Sequence, residues 1–198
     1  MATMRISKPD AVRRQLEAAI DMLVSGADAF AVYTMASAAF RVVRDFADKS
    51  RNVQIHDTLK THIRPGREKR FWDELHKATN FLTHAEKDPG GILEFEEEAN
   101  DAVLMASCLY YSSLGYAVTP IMSGFMVWQG MLHPDSFVGG RASAVSESAC
   151  RVLGDYRAQP RMEQLALGRQ IVAMTVRQSA LATPAELHNV PPDVAREE

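Results

Sequence analysis

Apolar positions recur at steps of three and four along most of the chain. Nowhere do they alternate with polar positions for long enough to make a strand. After Lys8-Pro9-Asp10 the series Val12, Leu16, Ala19, Ile20, Leu23 and Val24 predicts a helix that Gly26 ends. Ala27 to Asp48 predicts a second helix, with Phe30, Tyr33, Thr34, Ser37, Ala38, Arg41, Val42 and Phe46 along its turns and alanines that let a neighbour approach closely. A polar stretch follows, with room for a short helix from Val53 to His62, and Pro65-Gly66 is a turn signal. Arg67 to Ala85 predicts a strong helix, stopped by Asp88-Pro89-Gly90-Gly91. Glu94 to Leu114 predicts another, with Glu94, Glu96, Glu97 and Glu98 favouring its positive end. Gly115 closes it. Thr119-Pro120 matches a cap followed by proline in the first turn, so a helix runs to about Leu132 and breaks at His133-Pro134-Asp135.

Beyond that break, Gly139-Gly140 is the best candidate for a linker. Ala142 to Tyr156 and Met162 to Ala182 predict two more helices, separated by Gln159-Pro160. Thr183 to Glu198 is rich in proline and carboxylate and is expected to fray. The expected class is all-α, an antiparallel helical bundle over residues 1–138 with a helical C-terminal extension (139–182) packing on it and a tail (183–198).

One stretch calls for a membrane test. Ala102 to Pro134 holds no charged side chain, yet serines, glycines, Thr119, Pro120 and Gln129 interrupt it too often for a spanning helix. Its Met122, Phe125, Met126, Trp128 and Met131 suit a core or a dimer interface. The first ten residues contain no apolar run of the signal-peptide kind. The expectation is a soluble, cytoplasmic protein with no membrane partner.

Composition adds little to this picture until it is resolved along the chain. With 198 residues and a formal net charge of −3, the chain is long enough to bury a sizeable core and is not a bulk-charge binder of nucleic acid. Residues 60–70, however, hold five basic side chains and one acid, whereas 94–98 hold four acids. The basic stretch includes Arg64, Arg67, Lys69 and Arg70, candidates for contact with a phosphate-bearing partner. Cys108 and Cys150 are too far apart in sequence for a metal-binding or redox pair and suit buried, reduced thiols. The six histidines form no His-Glu-x-x-His pair, so neither metal nor cofactor is expected.

On a helical wheel for 67–85, Phe71, Trp72, Leu75, Ala78 and Leu82 make the core stripe. Arg70, Asp73, Lys77, Asn80 and His84 make a second stripe on the far side. A late helical turn carrying Lys, Asn and His can do acid–base work near neutral pH: imidazole moves a proton, the amide orients, the cation steadies negative charge. The same groups also suit an ordinary solvated helix end, where a protonated His84 complements the dipole.

The string Lys77-Ala78-Thr79-Asn80-Phe81-Leu82-Thr83-His84, followed by Ala85-Glu86-Lys87-Asp88-Pro89, resembles the signature helix of HEPN domains. The stretch from Asp28 to Ala39 is similar to the second bundle helix of small bacterial HEPN-like proteins, and the resemblance covers roughly residues 8–133. The family motif is Arg, four to six residues, then His, often with Asn directly after the Arg. Asn80 and His84 match; the Arg position falls on Thr79 at one spacing and on Lys77 at the other, and Lys lacks the bidentate fork of Arg. The resemblance implies a homodimer with the site where two motif helices meet. It implies either a metal-independent ribonuclease, with His84, Asn80 and Lys77 as its catalytic residues, or a module that binds RNA or nucleotide without cleaving it. The bundle pattern alone equally suits a non-catalytic homodimeric assembly protein that uses the charge-free 102–134 segment as its interface.

Overall fold

The computed structural model describes residues 3–50, 69, 72–73, 80–81, 88–134, 150–151 and 153–181. Among these the fold is all-α, with no strand. The helices are α1 (Lys8–Val24), α2 (Ala29–Ser50), α3 (Ala99–Ser113), α4 (Pro120–Leu132) and α5 (Arg161–Leu181), with a 3-10 turn at Tyr156–Ala158 before α5. Residues 69, 72, 73, 80 and 81 are also helical, as the pattern over 67–85 predicts.

Local chemistry sets the helix ends. The Ser7 hydroxyl accepts from the Asp10 amide at 3.2 Å, with Pro9 in the first turn of α1. At its far end Gly26 takes φ +71°, and the amides of Gly26 and Ala27 donate to the carbonyls of Leu23 and Met22 at 3.0 and 2.9 Å. These two bonds satisfy carbonyls the helix would otherwise leave open, in a turn that favours glycine. Gly115, at φ +85°, closes α3 in the same way, its amide and that of Tyr116 donating to Ser112 and Tyr111. The Asp28 carboxylate caps α2 through the Ala31 amide at 2.8 Å, and the Thr119 hydroxyl caps α4 through the Met122 amide.

All six apolar positions read from the α1 pattern are buried. In α2 the face is corrected. Tyr33 and Ser37 are buried, but Thr34, Ala38 and Arg41 are exposed, and the buried set is Val32, Tyr33, Ala36, Ser37, Ala39, Phe40, Val43 and Ala47. The reason is that α2 packs against both α1 and α3, so its buried arc is wide and rotated by part of a turn. The start of α3 is also corrected, from Glu94 to Ala99. Phe95 is drawn into an aromatic cluster with Phe30 and Tyr33, with ring centroids 5.3 and 5.1 Å apart, which holds the preceding chain out of the helix. Four neighbouring carboxylates also repel one another along a helical turn. In the expected helix over 142–156, residues 150, 151 and 153 are helical, Gly154 (φ +74°) ends the run, and the chain tightens into the 3-10 turn.

The core lies where α1, α2, α3 and α4 meet, with Leu16, Ile20, Tyr33, Leu104, Met122, Phe125 and Trp128 fully enclosed. α5 packs chiefly on α4. Gly168 lies against the Trp128 ring, and Gly124 lies against the backbone of Val172 and the side chain of Thr175. Absent side chains let these two helices come close. The Tyr156 hydroxyl donates to the Met131 carbonyl at 2.7 Å and ties the 3-10 turn to the end of α4. The expected linker at Gly139-Gly140 and the tail 183–198 lie outside the described residues.

Candidate functional site

The helical residues between 69 and 81 are anchored on α2 by two aromatic side chains. Trp72 is half-buried with its ring 6.0 Å from that of Phe40, and Phe81 meets Phe30 edge-to-face at 6.2 Å. Asp73 and Asn80, which share the far stripe of the wheel, are both exposed. Asn80 is therefore turned to solvent while Trp72 and Phe81 meet α2.

Lys69 is the described member of the basic stretch. Its side chain is 90% exposed, and its ammonium lies 2.9 Å from the Asp73 carboxylate, whose hydrogen bond and charge raise the lysine above its ordinary value. An exposed pair of this kind is weak and easily exchanged for another anion. Of the site read from the sequence, Lys77, His84, Arg64, Arg67 and Arg70 lie outside the described residues. The structure thus places Asn80 and Lys69 on the surface of the segment and leaves the other positions to sequence.

A second polar constellation had no motif to announce it. Arg161, the first residue of α5, grips Asp101 of α3 through both carboxylate oxygens, at 2.7 and 2.8 Å. The two side chains are only 18% and 6% exposed. The guanidinium also lies 5.8 Å from the centre of the Trp128 ring. Burial opposes the charge on Arg161, but the hydrogen bonds and charge of Asp101, reinforced by Glu98 and Glu97, outweigh it and raise the group. Next to Asp101, the buried Asn100 donates its amide to the Ala29 carbonyl at 2.9 Å, joining α3 to the start of α2. The signal in the sequence was faint: an Asn-Asp pair at the edge of a long charge-free run. With both carboxylate oxygens of Asp101 bound to the guanidinium, Asp101–Arg161 is a joint between helices.

Burial pushes the Cys108 thiol up to about 12, so it stays protonated and unreactive at neutral pH. Among the described residues no three His, Cys, Asp or Glu side chains gather as metal ligands, and no helix is long and apolar enough to cross a membrane.

Comparison decides nothing about kinship. No protein-family model, curated protein or solved structure matches this chain. Of the far stripe, the described side chains Asp73 and Asn80 are the ones that meet solvent.

Proposed function

We propose that the chain is a HEPN-like helical module that engages RNA or a nucleotide along the outer stripe of residues 67–85, working as a cytoplasmic homodimer. The observation that carries this reading is the exposure of Asn80 on a helical stretch whose Trp72 and Phe81 meet α2. That arrangement leaves Asp73 and Asn80 of the polar stripe available to a partner. The bundle is antiparallel in this reading. Trp72 meets Phe40 and Phe81 meets Phe30, so the segment ascends as α2 descends; likewise Trp128 meets Gly168 and Gly124 meets Val172.

In this proposal His84 moves protons, Asn80 orients the ring or a ribose hydroxyl, and Lys77 supplies a single point charge in place of the missing arginine. Arg64, Arg67, Lys69 and Arg70 contact phosphate. Lys77 cannot grip a phosphate through two parallel bonds, so cleavage is weak or absent and binding is the main activity. The test is a pair of assays in a chelator on the full chain. Cleavage of an oligoribonucleotide that disappears in His84→Ala establishes a ribonuclease. Equal background in both proteins removes catalysis. RNA binding that falls steeply with salt, and weakens when Arg64, Arg67, Lys69 and Arg70 are neutralised, establishes the binding module. No binding at low salt defeats it.

The assembly reading is less well supported. Among the large apolar side chains of 102–134, Val127 is the exposed one; the other large apolar side chains there are buried or half-buried.

A further inference from the structure

Phe81 is the one exposed Phe, Tyr or Trp side chain among the described residues, at 40% exposure. It is not a loose surface ring. Its contact with Phe30 is nearly perpendicular, at 82°, and Phe30 meets Phe95 at 87°. Phe95 in turn meets the fully buried Tyr33 at 77°. These edge-to-face contacts form a ladder from the core to the surface, each step at a favourable separation for aromatic rings. A ring braced from behind loses little freedom when a flat partner settles on it. Beside it in the chain stands the exposed amide of Asn80, which can both donate and accept.

We infer that Phe81 is a stacking platform for an unpaired nucleobase, so that the nucleic acid taken by this site is single-stranded RNA and not duplex. This rests on the RNA reading above. A base inside a duplex has both faces covered by its neighbours and cannot meet Phe81; a base in a loop or single strand can.

The test is fluorescence anisotropy on the full chain at low salt, with a labelled oligoribonucleotide presented as a single strand and as a duplex. Phe81→Leu should weaken single-strand binding by about fivefold or more while duplex binding and the salt slope stay unchanged. Phe81→Trp, with a larger face, should bind the single strand more tightly than the native chain. Unchanged single-strand binding by Phe81→Leu overturns the inference and leaves the RNA reading intact. Should Phe81→Leu fail to fold, Phe81→Trp decides: tighter single-strand binding upholds the inference, and unchanged or weaker binding overturns it. A native chain that binds neither form overturns both.

Discussion

A single ion pair shows how far one side chain can reach in this fold. Asp101 and Arg161 meet through two short charge-assisted bonds, nearly out of solvent, and Trp128 covers the guanidinium. Removing one partner strands the other charge, which is costlier than never having had the pair. Asp101→Asn should therefore lower stability by about 3 kcal/mol in urea denaturation. The double variant Asp101→Leu with Arg161→Leu should recover most of that loss. A cost below about 0.5 kcal/mol for Asp101→Asn would place the pair with ordinary surface bridges. Neither residue stood out in the sequence, because a lone acid and a lone arginine sixty residues apart carry no periodic signal. Asn80 did stand out, since its neighbours at three- and four-residue steps are polar, and its exposure agrees with its place on the wheel.

Whole helices were legible where the pattern was strong and the ends were marked. The span of α4 from Pro120 to Leu132 follows from Thr119-Pro120 at one end and His133-Pro134 at the other. The burial of α1 follows from one clean apolar stripe. Where two neighbours share a helix, as for α2, periodicity gives the helix but not its orientation. Where a tertiary contact competes with propensity, as for Phe95, it moves the boundary. The seam between α4 and α5 was not legible, since no pattern says which glycine faces which helix. It is tight: a Cβ on Gly168 would stand 2.7 Å from the Trp128 ring. Alanine normally favours a helix over glycine by about 1 kcal/mol, but a fully enclosed indole cannot step aside. Gly168→Ala should therefore destabilise the protein by about 1–3 kcal/mol in thermal or urea unfolding. A gain in stability would show that the two helices separate at little cost.

For the molecule as a whole, the charge-free segment 102–134 is the decisive case. Read alone, it suits a membrane segment, an interface or a core. The fold places nearly all of its large apolar side chains inside or half inside, with α5 laid over Trp128 and Gly124. Val127→Lys, at its exposed large apolar residue, should leave the mass measured by light scattering unchanged. A shift from larger to smaller species on Val127→Lys would restore the segment as an interface between copies. The sequence by itself determined the class, most helix spans and the polar stripe that carries the candidate chemistry, because those depend on local periodicity and caps. Only the tertiary structure decided which face of α2 is buried, where α3 begins, how α5 is clamped and why Phe81 stands braced at the surface. Each of those depends on which distant side chains meet, and spacing along the chain does not encode it.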